Sequence, residues 1–196
     1  MSAITMENPD THSGISNAKL GVWLFLASEI MLFATLFTTY IVLRMGSVAW
    51  PWGWDVLNVP LAMANTFVLI SSSVTIVLAY VGVYNKSKSQ FRLWMGATLA
   101  LSFVFLAIKA VEYGAKFEHG ISPATSVFYA VYFTMTGLHG LHVIGGIVLN
   151  AVLLAMSWSD DCWNDPLFLG RIEGAGLYWH FVDVVWIFLF PALYLL

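Results

Sequence analysis

Apolar residues fall into five long blocks along the chain, at about 20–43, 57–84, 91–113, 125–158 and 175–196, separated by short polar segments. A helix rises about 1.5 Å per residue, so roughly 20 mostly apolar residues cross the hydrocarbon layer of a bilayer. Each block meets that length. The pattern predicts an all-α integral membrane protein, a bundle of five transmembrane helices. The segments between carry the breakers. SVAWPWGWD (Ser47 to Asp55) holds Pro51 and Gly53, and its three tryptophans suit a membrane interface. NKSKSQ (Asn85 to Gln90) reads as a tight basic turn. EHGISP (Glu118 to Pro123) reads as another, with Ser122 or Thr125 available to cap the fourth helix. SDDCWNDP (Ser159 to Pro166) is acidic and leads into the last helix. Residues 1–18 are polar and contain Pro9 and Gly14, without the basic and apolar regions of a signal peptide. They are expected to form a polar arm ahead of one membrane domain, residues 19–196. There is no internal repeat or soluble-domain boundary.

Composition strengthens this reading. The chain is 60% hydrophobic and 10% charged, against about 25% charged in an ordinary soluble domain. A soluble fold of 196 residues has no core large enough to hide that apolar surface. The formal charge of −3 gives no sign of nucleic acid as a partner. One cysteine, Cys162, excludes an intrachain disulfide and a multi-cysteine metal site.

The basic residues set an expected orientation. Lys19, Lys86, Lys88, Arg92 and Arg171 fall on the N-terminal side of the membrane; Arg44 and Lys116 fall on the other, with Lys109 near the end of the third helix. Positive charge accumulates on the cytoplasmic side. The N-terminus is therefore expected in the cytoplasm. Five crossings then place the C-terminus outside, in the periplasm or its equivalent.

Against this apolar background the polar residues stand out. Glu29 lies ten residues past Lys19, roughly 15 Å into the helix. A carboxyl at that depth should face protein or water rather than lipid tails. Two readings stay open for it: a hydrogen-bonded packing group, or a proton-pathway or lipid-headgroup contact. Lys109, Glu112 and Lys116 share a helix face and read first as an ion-pair ladder near the membrane edge, with a lipid phosphate or partner contact as the alternative. His139 and His142 lie in TGLHGLHVIGG (Thr136 to Gly146), among Gly137, Gly140, Gly145 and Gly146. Two histidines three apart suit a metal, but small residues suit a close helix seam with hydrogen-bonded polar groups. The seam is the favoured reading, with Gly140 in it. In EGAGLYWHFVDVVWIF (Glu173 to Phe188), His180 and Asp183 are spaced to bond each other. No nucleophile motif accompanies them, so a structural polar seam is expected rather than a catalytic site.

These stretches together resemble the subunit III family of the haem-copper terminal oxidases. FLASEIMLFATLF (Phe25 to Phe37) resembles the family's glutamate-bearing helix, and NTFVLISSSVT (Asn65 to Thr75) the next. AIKAVEYGAKFEHGIS (Ala107 to Ser122), TGLHGLHVIGG and EGAGLYWHFVDVVWIFLF follow in the family's order, with YWHFVDVVW the most specific piece. The chain resembles the short, five-helix bacterial form. The resemblance implies a non-catalytic chain of a proton-pumping, oxygen-reducing oxidase in aerobic respiration. It implies no haem or copper on this chain, those belonging to partner subunits. It implies contact with subunit I, then with subunit II and possible small subunits, in a bacterial inner membrane. It also implies phospholipid in a cleft between the first two helices and the last three, and a part in sustaining proton uptake and enzyme lifetime. On that reading Glu29, Glu112, His139, His142, His180 and Asp183 are the intramembrane polar, proton-related candidates. Arg171, Glu29, Lys109 and Trp179 are the lipid-binding candidates. Arg171 stands where longer members carry a histidine-rich lead-in to the last helix, and is a phosphate partner in their place.

The residues themselves add that three intramembrane histidines on two helices are too few for two haems and a copper site, and that no cysteine pair exists for a binuclear copper centre. Two other functions remain open: a related accessory protein of nitric oxide reductase, and an independent transporter. A transporter would favour broken helices and internal repeats, which the sequence does not display. The electron donor, cytochrome c or quinol, is not written in this chain.

Overall fold

The computed structural model describes residues 17–165 and 167–196, with side chains from residue 19 onward except at 166. The helices in chain order are α1 (Asn17–Gly46), α2 (Gly53–Val56), α3 (Val59–Tyr84), α4 (Lys88–Glu118), α5 (Val127–Met156), α6 (Asp160–Asn164) and α7 (Leu167–Phe190). A π-helical turn, Pro191–Leu195, ends the chain. No strand occurs among the described residues. Among the described residues five helices are long and apolar enough to cross a membrane: α1, α3, α4, α5, and α7 with its terminal turn.

The ends of these helices differ from the sequence reading for local reasons. Residues 1–16 of the proposed arm lie outside the described residues; Asn17 is already helical. α4 runs to Glu118 rather than 113, because Glu112 and Lys116 turn into the bundle instead of ending the helix. It stops at a glycine: Gly120 takes a positive φ of 73°, and Ile121 N closes the turn on Lys116 O at 2.9 Å. The cap of α5 is neither Ser122 nor Thr125 but Ser126, whose Oγ accepts from Tyr129 N at 3.3 Å. Thr125 Oγ1 instead accepts from Ser122 N at 2.9 Å and folds the loop. α7 starts eight residues before the expected 175, since Arg171 and Glu173 find partners at the helix end rather than breaking it. The π-helical turn was not anticipated; Pro191 lacks the N–H needed to continue the α pattern.

The bundle is a ring of four with one helix outside. α3 packs on α4 and on α7, α7 packs on α5, and α5 packs on α4. α1 docks along the edge made by α5 and α7. It does so through one narrow seam: Leu26, Phe33 and Tyr40, seven residues apart, are buried, while most of the helix faces outward. The main core stacks Trp179, Trp186, Tyr132, Phe105 and Leu69, all at most 1% exposed. A second cluster around Phe91, Met95, Phe168 and Ile172 fills the end of the bundle that holds the α3–α4 turn.

That end is also where the exposed ion pairs gather. Lys19 meets Glu173 at 2.9 Å, Arg171 meets Asp165 at 3.2 Å, and Lys88 meets Asp160. The hydrogen bond and charge of Lys88 hold the Asp160 carboxyl below its ordinary range. At the opposite end Arg44 Nη1 donates to Tyr40 Oη at 2.8 Å, and its guanidinium lies 5.5 Å from the Trp52 ring. Tyr40 Oη in turn donates to Ala192 O at 2.5 Å, tying α1 to the terminal turn.

Candidate functional site

The polar residues singled out in the sequence separate into three clusters. The first joins α1 to α5. Glu29 Oε2 and His142 Nε2 are 2.8 Å apart, with both side chains largely enclosed. His142 Nδ1 lies 2.8 Å from Leu138 O. A carbonyl only accepts, so Nδ1 donates, and Nε2 and Glu29 share one proton between them. Whichever atom holds it, the pair as a whole is neutral, which is what a site inside a membrane favours. Phe33 packs edge-on against the imidazole at 5.2 Å, and Tyr178 Oη donates to His142 O at 2.9 Å.

The second cluster is a buried ion pair. Lys109 Nζ donates to Glu112 Oε2 at 2.9 Å and to Tyr194 Oη at 2.5 Å. Tyr132 Oη and Tyr194 Oη each donate to Glu112 Oε1 at 2.8 Å. The Lys109 ammonium also sits 4.7 Å from the Trp186 ring centre, and Lys116 sits 5.2 Å from that of Tyr132. This corrects the ladder expected at the membrane edge. Lys109, Glu112 and Lys116 are buried, and only the first two form an ion pair; Lys116 is held against an aromatic face. The cause is the terminal turn, which brings Tyr194 back over α4. Lys109 is therefore enclosed by protein and not placed to meet a lipid phosphate.

The third cluster lies between α3 and α7. Ser73 Oγ is 2.6 Å from His180 Nδ1, Trp179 Nε1 donates to Ser72 Oγ at 3.0 Å, and Trp186 Nε1 donates to Thr66 Oγ1 at 2.9 Å. His180 and Asp183 do not bond each other: the imidazole takes Ser73, and both Asp183 oxygens are buried without a hydrogen-bond partner among the described residues. Trp179, a lipid candidate by sequence, is fully enclosed and closed off from the bilayer. His139 is also enclosed, with neither ring nitrogen bonded among the described residues; it packs on Trp186 at 5.1 Å and Phe105 at 5.8 Å. His139 and His142 thus face different surroundings and do not converge. Among the described residues no group of three or more His, Cys, Asp or Glu side chains is placed to hold a metal ion.

The glycine seam is real but shifted. A Cβ on Gly146 would lie 2.6 Å from the Trp179 ring, and one on Gly145 would lie 3.3 Å from Tyr178 Oη. Gly137 and Gly140 face open space. The helix–helix approach is therefore at Gly146, and Gly140 has no part in it.

Recesses open between helices beside α7. A groove of about 740 Å³ runs between α1 and α7, walled by Trp23, Ile30, Phe37, Phe181, Phe188 and Leu196, with His180 among its few polar groups. It does not lie between a two-helix and a three-helix group, because α1 stands apart from α3. Glu29 is not among its lining residues; it has turned to α5. A smaller crevice of about 300 Å³ separates α3 from α7, lined by Tyr80, Glu173, Gly176 and again His180. Arg171 is exposed beside Asp165 at the end of α7. Tyr132, Tyr194 and Ser73 escaped the sequence reading as partners, whereas Gly146 was already among the small residues of its seam. The serine run of NTFVLISSSVT, in the middle of a spanning helix, was the signal that pointed toward Ser73.

This interior defines a multispanning α-helical membrane protein whose polar groups bond one another across helices. The chain matches the family described as cytochrome c oxidase subunit III over residues 3–196. It is 33% identical to the cytochrome bo(3) ubiquinol oxidase subunit 3 of Pseudomonas aeruginosa, covering 97% of this chain and 90% of that protein. It is 35% identical to the cytochrome c oxidase subunit 3 of Bacillus sp. PS3, covering 92% and 86%. It is 35% identical to a probable quinol oxidase subunit 3 of Staphylococcus aureus, covering 95% and 92%. The chain belongs to the cytochrome c oxidase subunit III family.

Proposed function

We propose that this chain is the non-catalytic third subunit of a proton-pumping haem-copper oxidase, seated against subunit I in a bacterial inner membrane. The observation that carries this reading is the family match across essentially the whole chain, with relatives named as subunits of both cytochrome c and quinol oxidases. Haem and copper belong to the partner subunits, and subunit II completes the complex. The charge distribution supports a cytoplasmic N-terminus. Five of the eight basic residues lie on that side; of the other three, Lys109 and Lys116 are buried within the bundle, and Arg44 is half-buried. The apolar α1–α7 groove supports a role in holding the acyl chains of phospholipid, with headgroups at its rims. The neutral Glu29–His142 pair supports a part in keeping proton uptake and catalytic lifetime steady, since it anchors the helix that forms one wall of that groove. Cytochrome c and quinol are equally supported as donor.

The test is deletion of this chain from its native oxidase. The remaining enzyme is expected to keep its haem and start at near-normal turnover, then inactivate sooner during oxygen reduction. Re-expressing the chain should restore lifetime. Loss of haem from the deleted complex would make the chain an assembly factor instead, and an unchanged lifetime would remove the proposed role.

A further inference from the structure

Trp23, Ile30 and Phe37 recur every seven residues along the α1 wall of the large groove, and the next position in that series is Arg44. A seven-residue step returns a helix to nearly the same face, so Arg44 closes the apolar wall at its end. Its partners lie at the same end. Nη1 donates to Tyr40 Oη at 2.8 Å, and that phenol donates to the carbonyl of Ala192, a residue lining the groove. The guanidinium is 5.5 Å from the Trp52 ring centre, and Trp52 stacks on Trp54 at 4.7 Å. Both indoles are exposed, as tryptophans at the boundary of a membrane are.

The two ends of the groove differ in charge. At the end where α1 begins, Lys19 is matched by Glu173 at 2.9 Å. At the other end no carboxylate pairs with Arg44: none of the ion pairs among the described residues includes it. The Tyr40 oxygen takes one of its five N–H donors, and the ring faces attract it less strongly than a phosphate does. Between the two ends the lining is apolar, with Ala27 and Ala34 on α1 facing Val184 and Phe188 on α7. The occupant that fits has an apolar body and an anionic head, with the head at Arg44. A phospholipid supplies both, at the depth where Trp52 and Trp54 put the membrane boundary.

We propose that Arg44 is the phosphate anchor of a phospholipid whose head lies at the Trp52 end of the α1–α7 groove and whose acyl chain lies along Phe37 and Ile30. Phe37 is about 10 Å and Ile30 about 21 Å along the helix from Arg44, so the chain reaches the middle of the bilayer between them. The planar guanidinium presents paired N–H donors to the phosphate oxygens, while Tyr40 and Trp52 hold it in place. In the orientation proposed above this is a lipid of the outer leaflet. The inference rests on the acyl-chain reading of the groove, and adds which end takes the head and which residue holds it.

The experiment counts phospholipids on the intact purified complex by native mass spectrometry after repeated detergent exchange, and locates them in a cryo-electron-microscopy map. In the wild type a headgroup is expected within hydrogen-bonding reach of Arg44. Arg44→Gln should retain that lipid roughly ten-fold less well, since hydrogen bonds to a charged group are lost. Arg44→Lys keeps the charge without the paired donors and should fall between the two. Lys86→Gln, at the opposite end of the bundle, should match wild type. Ala34→Phe narrows the groove with Arg44 intact and should displace the same lipid. Displacement by Ala34→Phe together with wild-type retention in Arg44→Gln would overturn the anchor and leave the acyl-chain reading standing. Wild-type retention in both variants would overturn the acyl-chain reading as well. The wild-type map decides independently of any variant: a headgroup at the Lys19 end, or a helix of a partner subunit filling the groove, would overturn the proposal.

Discussion

Gly146 and Gly140 look alike in the sequence and differ in what surrounds them. The Gly146 Cα is covered by the Trp179 ring, whereas Gly140 faces open space. Gly146→Ala is therefore expected to destabilise the protein by about 1–3 kcal/mol through overpacking, and Gly140→Ala to have little effect on the fold of this chain. Thermal unfolding of the purified complex distinguishes them: equal melting temperatures for the two variants would refute the seam placement. Glu29 makes a similar residue-level case. Glu29→Gln still offers a donor to His142 Nε2 and should assemble with near-wild-type stability. Glu29→Leu leaves His142 without its partner and should cost about 1–3 kcal/mol. Equal losses in both variants would mean that the carboxyl does something an amide cannot. The depth of Glu29 was legible in the sequence because a lone acid in an apolar block is conspicuous. Its partner was not, since periodicity places a residue on a helix face but says nothing of which neighbouring helix that face meets.

At the scale of elements, the five spanning helices were readable from apolar length alone. Their ends were not, because side chains that look like helix terminators became interior groups. Lys109 and Glu112 are the clearest instance: a charged pair near a block's edge reads as interfacial until the terminal turn returns Tyr194 over it. That turn depends on Pro191, on Gly53 lying close enough to Leu193 O to exclude a side chain, and on the Tyr40 bond to Ala192 O. The element-level prediction follows from the buried pair. Lys109→Met leaves Glu112 without its cation and is expected to cost about 3–5 kcal/mol. The double variant Lys109→Met/Glu112→Gln removes the uncompensated charge and should recover a large part of the loss. Assembly yield and melting temperature of the wild type, Lys109→Met, Glu112→Gln and the double variant measure this. A double variant as unstable as the sum of the singles would show that the two charges are not coupled.

For the whole molecule, a closed ring of α3, α4, α5 and α7 carries most of the packing, while α1 is held by one seam and a few polar ties. This makes α1 the least tightly held spanning helix. Its amides are expected to exchange hydrogen ahead of those in α3 and α7 in the intact complex, read by mass spectrometry; slower exchange in α1 would show that a partner subunit covers it more fully than this chain does. The ring was not legible in the sequence. Helices apolar on nearly every side carry little information on which faces pair, and the order of packing came from side-chain shape at positions such as Gly146, Trp179 and Phe105. The family, by contrast, was legible, because the distinctive residues lie on the same helices that build the interior. As a subunit of an oxygen-reducing haem-copper oxidase, which is the function proposed above, the chain should travel with a haem-bearing partner. The direct measurement is affinity purification of the tagged chain from its native membrane, followed by a reduced-minus-oxidised haem spectrum and an oxygen electrode. A stoichiometric haem-bearing partner that reduces oxygen is the predicted result. A chain that purifies without a haem-bearing partner, or with one that reduces nitric oxide and not oxygen, would contradict it.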